Sequence, residues 1–591
     1  MRKMLSLLLL SLLLPVTSHA QELSAADLDQ RRFALQKLLD EQWEYTMRTS
    51  PEFASILGDK RYNDQISDFS EAAVYRDLDE SKKFLRRFEA IKTTAFSDQE
   101  KLNRDLMIRD LRDGIEGAPL RGWLMPVTQM GGIHLNSAQF PAYLPFTTEK
   151  DYDDYITRLG KMPKAFDDTI ARMRKGMSAG LMPPKFLLEK VADQAQNMTT
   201  LTGEKSPFAV PLAKMPESFP VATKNRIRRE VLEAIDKHII PSYVEFANFV
   251  RDEYAPKGRT EVGVWSLPQG QQRYARNVKL MTTTDLQPDE IHQIGLREVA
   301  RIEGEMLTIA QKLGYSDLKS FNKAIEEMPA LKAKSGQHII DLYQKYTDQM
   351  YAKLPQLFGR LPKAKLIITP TEAFREKEAA GADYNTGSPD GARPGRVNVN
   401  TYEATTRKII TFESTAYHEG VPGHHMQLSI QQELPALPKY RQQGGYGAFT
   451  EGWALYSERL GKEVGFYEDP YSDYGRLQDE MLRAIRLVVD TGLHSKKWSR
   501  EQVVQFFRDH SAIDEVEIQS ETDRYIVWPG QALGYKIGQL KILELRERAS
   551  RELGSRFDIR EFHDEVLGAG ALPLAALEDR INDWIAAKKR A

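Results

Sequence analysis

Three histidines fall within eight residues of the stretch TAYHEGVPGHHMQ, Thr415 to Gln427. Imidazole and carboxylate groups hold zinc, and the usual helical spacing for this is His-Glu-x-x-His, with both histidines on one face. His418 and Glu419 begin that pattern, but Pro422 stands where the second histidine belongs, and His424 and His425 follow. On a straight helix His425 lies about 20° from His418 in direction but about 10 Å along the axis, and His424 lies about 9 Å along on another face. Each imidazole nitrogen must come within about 2 Å of one ion, so an unbroken helix excludes both pairs. The break is supplied locally. Pro422 has no N–H for the carbonyl of His418, Val421 before it is pushed from helical dihedrals, and Gly423 permits the remaining turn. Looping out two residues restores the register for His424, whereas His425 needs three. The spacing therefore assigns His418 and His424 as metal ligands. His425 then points beside the ion, to contact a substrate or simply to pack.

A third ligand follows in AFTEGWALYSERL, Ala448 to Leu460, an apolar-periodic helix with an acid near its start. Glu451 is placed to complete a His-His-Glu set, which leaves one coordination position open for water, as catalytic zinc requires. Glu419 beside His418 is the expected general base. Glu458, two turns beyond Glu451, either holds a ligand imidazole or is an ordinary surface acid. The bland alternative for the cluster is a set of surface histidines with Glu451 favoured by the helix dipole.

Two further stretches offer polar side chains. In RAIRLVVDTGLHSKKW, Arg486, Asp490 and His494 recur every four residues on one helical face. They form either a polar wall, with Arg486 on a substrate carboxylate and His494 beside it, or a solvated face of ion pairs. In ETDRYIVWPGQALGYKIGQLKI, Tyr525, Tyr535 and Lys536 gather around a Pro-Gly turn, with Lys536 a candidate substrate contact. His134 and His292 read as structural or surface residues. No phosphate loop and no Gly-x-Ser-x-Gly elbow occurs, and without cysteine there is no thiol nucleophile.

The elements that must position these groups read mostly as helix. Apolar residues at three- and four-residue spacing run through Ala25–Thr49, Glu71–Lys92, Asp98–Gly114, Glu149–Gly180, Thr223–Glu253, Gln287–Gly314 and Gly336–Leu357. The helical habit breaks at AKLIITPTEAF and at GSPDGARPGRVNVNTYE, whose RVNVNT alternates like a strand. TRKIITFES, Thr406 to Ser414, is either another strand or the approach to the His-Glu helix. The expected fold is mainly α, two helical lobes around a deep cleft, with a small β-sheet next to the zinc-binding helices. The lobes divide at MTTTDLQPDE, where Thr284 or Asp285 caps a helix that starts near Pro288: residues 21–285 and 286–591, after a signal peptide at 1–20.

The 591 residues carry 82 basic and 84 acidic side chains, a net charge of −2 that argues against nucleic acid as a partner. Arg2 and Lys3, then the apolar run Leu5–Leu14, then Ser18-His19-Ala20 read as a secretory signal with the mature chain beginning at Gln21; the alternative is an N-terminal membrane anchor. With no cysteine, neither lipid attachment nor disulfides are expected, and the periplasm is the expected compartment.

FTEGWALYSE resembles the Asn-Glu-Gly-Phe-Ala-x-Tyr-x-Glu segment of zinc aminopeptidases, whose first glutamate is a metal ligand; Glu451 occupies that place. HEGVPGHHMQ, TEGWALYSERL, RLVVDTGLHSKKWS and PGQALGYKIGQLKI together resemble the bacterial family called domain of unknown function 885. The resemblance implies a mostly helical, zinc-peptidase-like protein, exported or lipid-anchored, and this chain lacks the cysteine of the anchored members. Tyr535 in GYKIG is similar in context to the tyrosine that helical zinc peptidases aim at the oxyanion; the alternative is a buried structural tyrosine. The expected activity is zinc-dependent hydrolysis of short peptides. A zinc-dependent hydrolase of another amide or ester, or a non-catalytic peptide- or metal-binding protein, is the alternative.

Overall fold

The computed structural model describes residues 24–372, 376, 379–388, 393–435 and 437–590, so the signal-peptide reading lies outside the described residues. The chain is mainly α-helical with one three-stranded sheet. Helices begin where the sequence supplies acceptors for their first N–H groups. Ser24 caps Ala25–Thr49, and Ser97 with Glu100 forms a capping box on Asp98–Gly117. The helix Pro288–Lys312 does begin at Pro288, but its cap is Gln287, paired reciprocally with Glu290, rather than Thr284 or Asp285. The Thr223–Glu253 run is helical but contains a π-turn at Ile235–Ile239, two residues ahead of Pro241, whose missing N–H disturbs the regular ladder, and a second that begins at Val250.

The sheet has the order β1-β3-β2, with β1 at Leu366–Pro370, β2 at Ala382–Asn385 and β3 at Gly395–Val399. Central β3 runs parallel to β1 and antiparallel to β2. Its Val397 and Val399 are buried and pack with Ile339, Tyr343, Phe412 and Ala416. The sheet thus rests directly on the helix Phe412–Glu419, which carries His418. Residues 406–411 are the approach to that helix, not a strand.

Pro470–His494 is a 25-residue helix buried on nearly every side. The helices Gly447–Glu463 and Gly534–Leu553 cross closely because glycine meets backbone at the contact. A Cβ on Gly538 would lie 1.8 Å from the carbonyl oxygen of Ala448, and one on Gly452 would lie 2.5 Å from the Gly538 backbone. That crossing seats the Glu451 helix against the helix that carries Tyr535. Among the described residues, no helix is long and apolar enough to cross a membrane.

Candidate metal centre

The interruption read in the sequence is a built loop. The helix Phe412–Glu419 ends at Gly420, and the next helix, His424–Glu433, starts with His424 itself. Gly420 N–H donates to Ala416 O at 3.0 Å, Gly423 N–H to Tyr417 O at 3.0 Å, and His425 N–H to Gly420 O at 3.1 Å. These bonds satisfy the polar backbone that Pro422 would otherwise strand. Trp453 Nε1 donates to Pro422 O at 2.8 Å, so the helix that brings Glu451 also holds the loop. A side chain at Gly423 has no room: its Cβ would lie 1.9 Å from the carbonyl oxygen of His418.

The result is a cluster of donors. Ligand atoms of His418, His424 and Glu451 all lie within 4.8 Å of one another. Glu451 Oε2 is 3.7 Å from His418 Nε2 and 3.4 Å from His424 Nε2. Tetrahedral zinc with ligands about 2.1 Å away needs donor separations of about 3.4 Å, close to these values. The two imidazole planes are perpendicular, with centroids 4.8 Å apart. Two imidazoles and a carboxylate, without thiolate, are a donor set that suits zinc.

The surroundings sharpen the fit. His418 Nδ1 donates to Glu458 Oε1 at 2.7 Å, which fixes the tautomer and turns the Nε2 lone pair toward Glu451. Glu458 is therefore an orienting group, not a surface acid, and it is buried. Burial pulls the His418 pKa down, but the hydrogen bonds to Glu451 and Glu458 outweigh it and hold it up at about 10. Burial works against the Glu451 carboxylate, but His424 and His418 hold it well below the usual range. The pocket thus attracts positive charge at the point where three donors converge, and a cation there takes the place of that proton.

Glu419 lies beside this cluster, and its carboxylate makes no hydrogen bond among the described residues. Burial raises its carboxyl pKa, against the pull of His418 and His424, and Glu451 and Asp383 of β2 push the same way as burial. A carboxylate with a raised pKa and no partner suits proton transfer.

The model of the family described as bacterial protein of unknown function, DUF885, matches residues 51–581. The chain belongs to the DUF885 family. Among solved structures it is similar to the putative lipoprotein from Colwellia psychrerythraea, at 30% identity over 95% of this chain and 99% of that one, with a TM-score of 0.88. A putative lipoprotein of unknown function from Shewanella oneidensis shares the fold at 18% identity, a TM-score of 0.71, and 94% and 99% coverage of the two chains. No curated protein matches the chain.

In this DUF885 protein the remaining sequence candidates are placed as follows. His425 is fully buried, 3.0 Å from the hydroxyl of Tyr384 in β2, and burial pushes its pKa down to about 4. It packs against the sheet and does not face the ligand cluster. Arg486 is not open to a substrate carboxylate: it donates to Tyr525 Oη at 3.0 Å and Glu521 Oε2 at 2.9 Å, with its guanidinium 4.6 Å from the Tyr535 ring centroid. His494 is an internal brace, accepting from Val264 N–H at 3.0 Å and donating to Tyr525 O at 2.9 Å. Asp490 accepts from Tyr274 Oη at 2.7 Å and from Gly530 N–H. The 486–490–494 face is thus neither a cleft wall nor a solvated face; it is packed interior. Lys536 has no exposure and lies between Glu480, at 2.6 Å, and Glu298, at 2.9 Å, which makes it an interior ion-pair residue rather than a substrate contact. Tyr535 is half-buried, 3.5 Å from Arg524. His134 and His292 are buried scaffold residues, bonded to Gln194 and Thr491. Sequence reasoning missed Trp453, Asp383 and Tyr384. The tryptophan sits in the quoted motif, but nothing in its spacing points to the loop carbonyl. Asp383 and Tyr384 belong to a four-residue strand, ADYN, that has no β-branched residue to announce it.

Proposed function

We propose that this DUF885 protein is an exported zinc-dependent peptidase that hydrolyses short peptides. The observation that carries this reading is the convergence of His418, His424 and Glu451 across an interrupted helix, with the partnerless Glu419 beside them. Those three residues would hold the ion, and Glu458 would keep His418 in the ligating tautomer. When bound, zinc supplies a Lewis acid with one open position. Glu419 takes the proton of the attacking water and returns it to the leaving amine. Burial raises its carboxyl pKa, which strengthens it as a base for the water proton. Tyr535 is the oxyanion donor in this reading, with Arg486 and Arg524 beside it to hold its position.

A peptide as substrate is supported by the sheet. Among the described residues β2 pairs with β3 alone, so its outer edge offers backbone donors and acceptors to an extended chain regardless of side-chain identity. Export is supported by the charged and apolar residues that open the sequence, and by the Colwellia and Shewanella proteins being described as putative lipoproteins. The test is turnover of a short-peptide library by zinc-loaded and chelator-treated protein. The proposal expects cleavage that chelation abolishes and zinc restores. Zinc-dependent hydrolysis of amide or ester probes without peptide cleavage transfers the site to another substrate class, and zinc binding without any hydrolysis makes it a binding protein.

A further inference from the structure

A cavity of about 480 Å³ lies among residues 52–208 and shares no lining residue with the metal centre. Its size is in the range of small-ligand sites. The walls are largely carbon, from Ile66, Phe69, Ile133, Phe140, Met162 and Phe208, and the exposed Ile56 and Tyr143 stand at its mouth.

Two arginines also line this apolar space. Arg158 is 3% exposed and Arg172 9%. A buried guanidinium is ordinarily matched by a carboxylate. Neither of these forms an ion pair among the described residues. Arg158 donates from Nη2 to Ser55 Oγ at 2.9 Å and Tyr62 O at 2.7 Å, which leaves Nε and Nη1 buried without an acceptor. The Arg172 side chain donates no hydrogen bond among the described residues, and its Nε is equally bare. The acids that act on Arg172 are committed elsewhere: Asp168 to Lys164, Asp68 to Arg76 and Glu71 to Lys175. For Arg158 the strongest such acid is Glu52, which also lines the cavity but accepts from Ser67 on both of its carboxylate oxygens. Phe140 lies 4.8 Å from the Arg158 guanidinium and Phe69 5.7 Å from that of Arg172. An aromatic face satisfies the face of a guanidinium and not the N–H edge. Burial lowers the Arg158 pKa only to about 10, so its charge persists at neutral pH.

We propose that this cavity binds an amphipathic carboxylate, with its head on Arg158 and Arg172 and its apolar body among Phe69, Ile133, Met162 and Phe208. A medium-chain fatty acid is the simplest molecule of that class. The unfilled N–H edges of the two guanidiniums select an anionic acceptor, and the carbon walls select a ligand whose remaining surface is apolar. The assignment is independent of any chemistry at His418.

The experiment is calorimetric titration of the full-length protein with sodium decanoate, and with decanol as the neutral molecule of equal tail length. Decanoate is expected to bind at one site per chain, at least about tenfold more tightly than decanol, because a hydrogen-bonded charge pair is lost with the head group. Arg172→Met removes charge without breaking any hydrogen bond, so it is expected to fold with an unchanged or higher Tm and to weaken decanoate by about tenfold or more. Ser137→Phe fills the cavity from the helix Ile133–Gln139, leaves both arginines in place, and is expected to abolish binding. Equal affinity for decanol, absence of decanoate binding by the wild type, or undiminished binding by either folded variant would overturn the proposal.

Discussion

At the scale of the residue, the roles of Glu419 and Glu458 separate cleanly. Glu419 touches no ligand imidazole by hydrogen bond, so Glu419→Gln is expected to keep zinc and lose turnover by about 10²–10⁴-fold. Kinetics run beside elemental analysis check this, and a zinc-loaded variant with wild-type turnover removes Glu419 from the mechanism. Glu458 acts through His418, which it holds at 2.7 Å. Glu458→Ala is expected to weaken zinc affinity by about 10–100-fold, as removal of such orienting partners does. A competitive chelator titration reads that shift, and unchanged affinity would show that His418 needs no orienting group.

At the scale of the element, the centre depends on a loop that cannot carry a side chain at residue 423. Gly423→Ala forces a Cβ into the His418 carbonyl, 1.9 Å away, and is expected to cost about 1–3 kcal/mol of stability and to lower zinc occupancy. Gly447→Ala is the control, because a Cβ there meets nothing within 4 Å. Melting curves and zinc content compare the two; equal behaviour would contradict a loop built on that contact. Much of this element was legible. The Pro-Gly pair after His418 announced the break, which spans the four residues 420–423 rather than two, and RVNVNT announced the central strand. The face of Arg486, Asp490 and His494 was legible as a face, but periodicity reports which residues point together and not what packs on them. Tyr274, Glu521, Tyr525 and Tyr535 from three helices, together with Val264 and Gly530, cover it, and their approach is a tertiary fact. Lys536 misled for the same reason, since its two acids come from residues 298 and 480, remote in sequence.

At the scale of the whole molecule, stability rests on a polar interior as well as an apolar one. His494 and His563 are fully buried and neutral, each with its pKa pushed by burial down to about 3. Below about pH 6.5 the unfolded chain binds protons that the folded chain refuses, so stability present at pH 7 is lost as pH falls toward 3, at up to about 1.4 kcal/mol per pH unit for each group. Asp490 runs the other way: burial raises its carboxyl pKa to about 7, and acid favours its folded form. His494→Gln keeps one acceptor and one donor but does not titrate. Its Tm, measured in chelator, is therefore expected to fall less between pH 7 and pH 5 than that of the wild type; an equal fall would place the acid sensitivity elsewhere. The metal centre stands or falls with His424 at the start of the second half of the interrupted helix. The direct measurement is zinc stoichiometry of metal-free protein after saturation and desalting, for the wild type, His424→Ala and His425→Ala. One zinc per chain in the wild type and in His425→Ala, with none in His424→Ala, is the predicted result. A wild type that retains no zinc, or a His424→Ala variant that retains as much as the wild type, would contradict it.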